Sequence, residues 1–582
     1  MINSKRKVSF FIIFLITYFF HQSYFILLGG TTWDEPASVL AASKQLYKAY
    51  LFLVDFNNPL FDVYIPQETY GALLFIPAYL LTSSSGIMNL FSKLFSNIDL
   101  VNHSNELEVA LVLRHLFLNF YIIFVLYICF RKIKEVYSLN RAILIIITLL
   151  LVPSFNGHSL FNFADIPFAI QFFLAALFYL SYLNNYENKK LIILGILFGL
   201  AMLTRLSAFV FLSFLPLFEI FQNYIRTESR NFFKIFKNLI TKYIKIYSVA
   251  LITLYLGTPS AWRSPFTWLR EAYLFQFTFQ FNVPSLLNGK EIFSDEVPRT
   301  YLIQWFGFKL PLLFIVLAFL SLFLFITKKS FQENELLAFS LFFIFLVNIA
   351  FVLYHPNAYD GIRHYLFLVP FFVIVAIEPL NYLLKKNISL GSLGIISFAI
   401  YLISIQSGLG PYKYVYLNEL VDEKTISVEC EEYIAQNGCG EWHTDYWGFG
   451  GKNLYNLSEN YPNQIKFFCP PQFTYSLFQN ENRPWELING SFVFDDLYPF
   501  QTDSIYYYKS DMLKFINSPN FTNIEFISLN YHRPPGDNCG MSELDEKRFE
   551  VECSIVDKTT ALLRGHEITI NYLSKCMVSK KI

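Results

Sequence analysis

The chain has 582 residues, 54% of them hydrophobic and only 15% charged, and its mean hydropathy is +0.39. Its 45 basic and 45 acidic residues cancel, so no basic excess points to nucleic acid. With 66 phenylalanines and 38 tyrosines, this composition excludes an ordinary soluble enzyme and marks a polytopic membrane protein.

A bilayer span needs ~20 apolar residues. The first such run is Val8–Leu28, preceded by Lys5-Arg6-Lys7. Basic residues stay on the cytoplasmic side, so the chain enters the membrane from inside. The run is long and lacks a small-residue cleavage site, so it is predicted to be an anchor. Gly29-Gly30-Thr31-Thr32-Trp33-Asp34-Glu35-Pro36 follows, and two adjacent carboxylates emerge on the outer face. A helix begins at Pro36, for which Asp34 is also a plausible cap. The polar segment up to Glu108 holds one apolar patch, 72–81, suited to lying at the interface.

Further spans are predicted at Leu111–Phe130, Ala142–Phe155 and Ile166–Leu183. Leu191–Phe221 is too long for one span and is read as two, with Arg205 at the outer turn. The remaining runs are Ile246–Leu256, Tyr301–Ile326 (with Lys309 inside it, expected to snorkel outward), Leu336–Leu353, Tyr365–Leu384 and Ile388–Ile405. That makes about eleven transmembrane helices. The basic clusters at 131–134, 189–190, 226–245, 328–329 and 385–386 then all fall inside, as the charge rule requires.

Residues 1–406 are therefore predicted to form a transmembrane domain with outer loops 29–110 and 257–299. Residues 407–582 form a soluble α/β domain on the outer face, with Gly408-Leu409-Gly410-Pro411 at the boundary. Strands are predicted at 464–468 and 504–508, and a helix at 452–459. Six of the seven cysteines (Cys430, Cys439, Cys469, Cys539, Cys553 and Cys576) lie in this domain, which suits at least two disulfides in an oxidising space. Sequence leaves their pairing open. The protein is expected in the inner or plasma membrane, N-terminus cytoplasmic and C-terminal domain periplasmic or extracellular.

Ionisable residues at membrane level usually face a protein interior or a water-filled cavity. Here Asp34, Glu35, Glu68, Arg114, His115, His158, Asp165, Arg205, Asp360, Arg363 and His364 come from separate parts of the sequence and map to one face. A carboxylate in such a set can take a proton from an attacking hydroxyl, and arginines can hold a leaving phosphate. A transporter or lipid-linked-sugar flippase is the alternative class. It would more commonly show paired repeats and midplane binding groups, and no repeat is visible.

These residues resemble the GT-C glycosyltransferases, membrane enzymes that use polyprenyl-phosphate sugars. The likeness is to the branch holding protein O-mannosyltransferases and the aminoarabinose transferase, in a bacterial form. Asp34-Glu35 resembles the first-loop acidic motif, and Arg114-His115-Leu116-Phe117 opens a span in the same way. The string from Asn156-Gly157-His158 through Asn162-Phe163-Ala164-Asp165-Ile166-Pro167-Phe168 resembles the second-loop motif Gly-His-x-x-Phe-Asn-Pro-Lys-Asp-x-Pro-Phe. Thr204-Arg205 stands where Thr-Lys is usual. Tyr359-Asp360-Gly361-Ile362-Arg363-His364 and Asp445-Tyr446-Trp447-Gly448 also resemble that subgroup. The family's Pro-Lys is Phe163-Ala164 here, so Arg205, Arg363 or Lys309 would have to supply the missing cation.

The resemblance implies transfer of a sugar from a polyprenyl-phosphate donor to an acceptor hydroxyl on a glycan, lipid or protein, by an inverting single displacement. Asp34, Glu35 and Asp165 are the candidate catalytic residues. Arg114, His115, His158, Asn162, Arg205, Asp360, Arg363 and His364 are the candidate substrate-binding residues. Asp445-Tyr446-Trp447 is expected to pack within the terminal domain. No metal-ligand set is read, and the cofactor is unknown: a divalent cation bound jointly by a carboxylate and substrate phosphate is left open.

Overall fold

The computed structural model describes residues 4–32, 35–62, 68, 72–98, 100–102, 106–226, 232–278, 284–287, 290–426, 442, 444–462, 464–468, 487–488, 491–492, 506–508, 516–517, 521–531 and 548–581. Asp34 lies outside the described residues, as do Cys430, Cys439, Cys469 and Cys539.

Helices occupy the apolar runs in order. They are α1 (Ser4–Leu28), α2 (Glu35–Val54), α3 (Ala72–Thr82), α4 (Ser85–Phe95), α5 (Glu106–Val136), α6 (Leu139–Leu151), α7 (Pro153–His158) and α8 (Asp165–Asn184). Next come α9 (Asn188–Met202), α10 (Ala208–Leu212), α11 (Leu215–Arg226), α12 (Phe232–Leu256) and α13 (Pro265–Thr278). The bundle closes with α14 (Tyr301–Lys309), α15 (Leu312–Thr327), α16 (Lys329–Gln332), α17 (Glu335–Tyr354), α18 (Val369–Lys386) and α19 (Ile388–Ser404).

This is a multi-pass helical membrane fold followed by a sheet domain. By length and composition, six helices among the described residues can cross a membrane, or up to nine if each bent pair is one span. Eleven were expected, and three runs account for much of the difference. The run at 142–155 yields the 13-residue α6, which ends before Pro153. The run after Arg205 breaks into α10 and α11. The run at 301–326 bends by 118° between α14 and α15, where Pro311 has no N–H with which to continue the first helix. Lys309 sits at that bend. It is buried and donates to the Tyr414 carbonyl at 3.0 Å, rather than reaching outward. The 72–81 patch becomes α3, which meets α4 at 79°.

Helix α8 is the hub: nearly every side chain from Asp165 to Tyr182 is buried. Its phenylalanines interlock with those of neighbouring helices, as in Phe172 on Phe343 at 5.1 Å and Phe168 on Phe367 at 5.2 Å. Lys7, at the start of α1, donates to Asn140 at the start of α6, 2.8 Å away. That end of the bundle is called lower here, and the end where α1 finishes upper.

After α19 a 3-10 segment, Ser407–Val415, is kinked at Gly410, whose φ of 54° favours glycine. It wedges against α7. A Cβ on Gly157 would come within 2.0 Å of the Tyr414 backbone nitrogen, so only glycine allows this approach.

The polar remainder holds α20 (Gly451–Ser458) and most of the strands. Strands β1 (Pro284–Leu287) and β2 (Lys290–Phe293) form a hairpin in the loop before α14, and β4 (Leu487–Ile488) pairs with β5 (Ser491–Phe492). The main sheet has five strands in the order β6-β3-β7-β9-β8, built from β3 (Ile465–Phe468), β6 (Tyr506–Tyr508), β7 (Asn523–Tyr531), β8 (Phe549–Leu563) and β9 (His566–Lys580). Parallel pairing at β3 beside antiparallel β7-β9-β8 makes it mixed. β3, β6 and α20 fall where the sequence predicts them. Cys553 and Cys576 face each other across β8 and β9 and form a disulfide. Cys129 is buried in α5 and free.

Candidate functional site

The upper end of the bundle gathers two charged clusters. The first is built on Glu35, at the start of α2, and on Arg114 and His115 in α5. The Arg114 Nε lies 3.1 Å from Glu35 Oε1, and His115 Nε2 lies 3.0 Å from Oε2. The Thr31 hydroxyl donates to Oε2 at 3.3 Å. All three side chains are buried. Burial alone would raise the Glu35 pKa, but His115 and then Arg114 outweigh it and hold the carboxyl below its usual value. Glu35 is therefore an engaged carboxylate. Arg114 Nη2 and His115 Nδ1 are buried without a partner among the described residues.

The second cluster is built on the start of α8. Asn162 Oδ1 accepts from the backbone nitrogens of Asp165 (2.7 Å) and Ala164 (3.2 Å), closing the turn that opens the helix. Its amide donates to Asp165 Oδ2 at 2.9 Å. Asp165 also meets two guanidinium groups, that of Arg205 at Oδ1 and that of Arg363 (Nε 3.5 Å from Oδ2). Arg205 occupies the break between α9 and α10, as expected of a turn residue. Arg363 follows a tight turn in which Asp360 (φ 56°) and Gly361 (φ 65°) are both left-handed, conformations that Asp and Gly tolerate best. That turn returns Asp360 Oδ2 to within 2.8 Å of Arg363 Nη1. His364, half-buried, packs its ring on Tyr359 at 4.7 Å.

Tyr446 and Trp447 complete this cluster from the C-terminal part of the chain. The Tyr446 hydroxyl is 2.9 Å from His158 Nε2, and Trp447 lies under Arg363 at 4.3 Å. They pack on the helical bundle, not only within the terminal domain as expected. No sequence periodicity announces a contact across 288 positions. Asp445 supplies the anchor: it accepts from Asn571 of β9 (3.1 Å), from the Gly450 backbone (3.1 Å) and from the Tyr414 hydroxyl. Burial raises its pKa against those hydrogen bonds. Burial also lowers the His158 pKa well below the usual value, helped by the charges of Arg363 and Lys309. The indole nitrogens of Trp305 and Trp447 are buried and unpartnered among the described residues.

An aromatic wall joins the clusters. Phe163, in place of the usual proline, stacks on Phe75 at 4.8 Å and lies 5.9 Å from His115. Phe161 contacts Phe449 (4.6 Å) and Trp447 (5.4 Å). Phe449 in turn accepts a hydrogen bond from the Gly30 nitrogen at 2.8 Å, which fixes the chain just before the acidic pair. The structure thus brings Glu35, Arg114, His115, His158, Asn162, Asp165, Arg205, Asp360 and Arg363 to one end of the bundle, with His364 beside them. Glu68 stands apart from these two clusters, buried and paired with Lys48 at 3.0 Å. Among the described residues no group of three or more His, Cys, Asp or Glu is arranged to hold a metal ion.

The fold and site define the chain as a polytopic helical membrane protein that buries paired carboxylates and arginines at one end of its bundle. Residues 88–251 match the family model described as dolichyl-phosphate-mannose-protein mannosyltransferase. That match and the loop motifs are the chain's likeness to the GT-C superfamily of glycosyltransferases. The matched segment contains Arg114, His115, the second-loop string and Arg205. No curated protein matches the chain. Among solved structures, the oligosaccharyltransferase of Archaeoglobus fulgidus in its apo form is similar at 12% identity and a TM-score of 0.43, over 86% of this chain and 62% of that one. The archaeal oligosaccharyltransferase AglB from the same organism, in complex with an inhibitory peptide and a dolichol-phosphate, gives 12% and 0.40, over 84% and 62%. The chain thus spans less than two thirds of the length of either.

Proposed function

We propose that the protein transfers a sugar from a polyprenyl-phosphate donor to an acceptor hydroxyl at the upper, exoplasmic end of the bundle. The observation that carries this reading is the second cluster. Two arginines are held by two carboxylates beside buried indole N–H groups, which suits an incoming phosphate. Buried donors without acceptors are costly, and a phosphate supplies acceptors in the geometry guanidinium favours. Two arginines against Asp165 and Asp360 balance, so the phosphate would be held by directed guanidinium and indole hydrogen bonds rather than by an excess of positive charge.

Asp34 is the base. Its neighbour Glu35 is occupied by Arg114 and His115, which makes Glu35 a positioning residue and leaves the adjacent carboxylate for the chemistry. The acceptor oxygen gives its proton to Asp34 as it bonds to the anomeric carbon. The bond from that carbon to the phosphate oxygen breaks, and polyprenyl phosphate departs with the electron pair. Arg205 and Arg363 stabilise the charge that develops on it. One displacement inverts the anomeric configuration. Asp165 orients the two arginines, and His158, kept neutral, is held by Tyr446. If a divalent cation takes part, donor phosphate must complete its shell, because these carboxylates are engaged by arginines.

The exoplasmic placement rests on the charge rule applied to the basic clusters of the sequence and on the Cys553–Cys576 disulfide in the sheet. Asp34→Asn tests the mechanism. General-base catalysis contributes ~10²–10⁴-fold, so kcat should fall by that order while the protein still folds and inserts. A product of retained configuration would exclude the single displacement.

A further inference from the structure

A cleft of about 460 Å³ opens between α20 and the upper ends of α1 and α5. That volume is in the ~300–1,000 Å³ range of small-molecule sites. Its floor is the ion pair of Lys452 and Glu108, 2.6 Å apart and both buried. Lys452 Nζ also donates to the carbonyls of Leu27 (3.0 Å) and Leu100 (2.6 Å), which ties the floor to both α1 and the segment before α5. The other carboxylate in the lining, Glu459, pairs with Lys466 at 3.0 Å. Both lining acids are thus compensated. Asn102, Asn456 and Tyr455 also line it, as does Asn453, whose amide donates to the Tyr412 hydroxyl at 2.7 Å.

The cleft lies close to the first charged cluster. Glu108 precedes Arg114 and His115 by six and seven residues on one helix, ~9–10.5 Å along its axis at 1.5 Å per residue. Leu27 and Leu28 line the cleft, and the chain runs on from them to Gly30, Asp34 and Glu35. Lys452 comes three residues after Phe449, which fixes Gly30.

We propose that this cleft is the acceptor subsite and that the acceptor is a neutral glycan. Amides donate to and accept from hydroxyls, an aromatic ring packs on the apolar face of a sugar, and a charge-compensated lining offers nothing to an anionic ligand. The inference rests on the transferase reading above and adds the acceptor class to it.

The test uses the full-length protein in nanodiscs with labelled polyprenyl-phosphate sugar. Release of label to water measures donor use without an acceptor. Transfer is measured to the neutral glycan fraction from the envelope of a deletion strain, and separately to a Ser/Thr-rich peptide. Asn456 is exposed on α20, so Asn456→Trp blocks the cleft without touching the core. The variant should release label to water at the wild-type rate, while its KM for the glycan rises about tenfold or more. Equilibrium dialysis of the tritiated glycan fraction should show the same loss of binding without any turnover. Equal glycan binding and transfer by wild type and variant would overturn the subsite. Transfer by the wild type to the peptide and not to the glycan would overturn the acceptor class. A wild-type protein that consumes no donor would instead sink the transferase reading beneath it.

Discussion

Arg363→Ala is the perturbation with the most readable consequences. The contacts of the side chain include Asp360 at 2.8 Å, Asp165 at 3.5 Å, the Trp447 ring at 4.3 Å and the Tyr359 ring at 5.5 Å. If it also holds the donor phosphate, the lost charge-assisted bond is worth ~1.5–3 kcal/mol. At 1.4 kcal/mol per factor of ten, donor KM should rise about 10- to 150-fold. The structural cost is separate. Removing one partner of a buried ion pair costs ~3–5 kcal/mol, and Asp165 keeps Arg205 and Asn162, so the lower figure applies. Arg363→Lys divides the two effects. It restores the charge and part of the stability, but lacks the planar fork, so donor KM should stay raised. The assay is steady-state transfer from labelled polyprenyl-phosphate sugar, with thermal unfolding measured on the same preparations. A folded Arg363→Ala protein with wild-type donor KM and kcat would refute the phosphate role and leave Arg363 as a structural residue.

His158 has its pKa held well below the usual value, so the unfolded chain takes up a proton near pH 6.5 that the folded protein refuses. Stability should therefore fall as pH drops from 7.5 to 5.5, by ~1 kcal/mol from this group, and thermal melts of His158→Gln should show a flatter profile. Tyr446→Phe leaves His158 Nε2 without its 2.9 Å partner and should cost ~1–3 kcal/mol in the same melts, although the ring still packs. Cys553→Ser opens a disulfide that closes 23 positions of chain, and should cost ~3 kcal/mol, seen as earlier loss of the sheet on heating.

Much of the bundle was legible because a bilayer imposes length and apolarity on each segment, and those are properties of composition. Arg205 at a helix break followed from a run too long for one span. The second-loop string identified Asp165, and Asn162 followed from its place in the motif. What sequence could not supply were contacts between distant segments. Tyr446 and Trp447 reach His158 and Arg363 only because the segment after α19 folds back against α7, where Gly157 has no side chain to block Tyr414. The same segment holds Lys309 inward through the Tyr414 carbonyl. The bend of α14 against α15 is encoded by Pro311, but the apolar run continues across it without a change in composition. The pairing of Cys553 with Cys576 depends on the register of β8 and β9, which no cysteine spacing encodes.

The central claim is sugar transfer from a polyprenyl-phosphate donor with Asp34 as the base. The most direct measurement is donor consumption by purified wild type and Asp34→Asn in nanodiscs, with labelled polyprenyl-phosphate sugar and the anomeric configuration of the product read by NMR. The account predicts an inverted product from the wild type and a rate ~10²–10⁴-fold lower in the variant at unchanged donor binding. Equal rates in the two proteins, or no donor consumed by either, would contradict it.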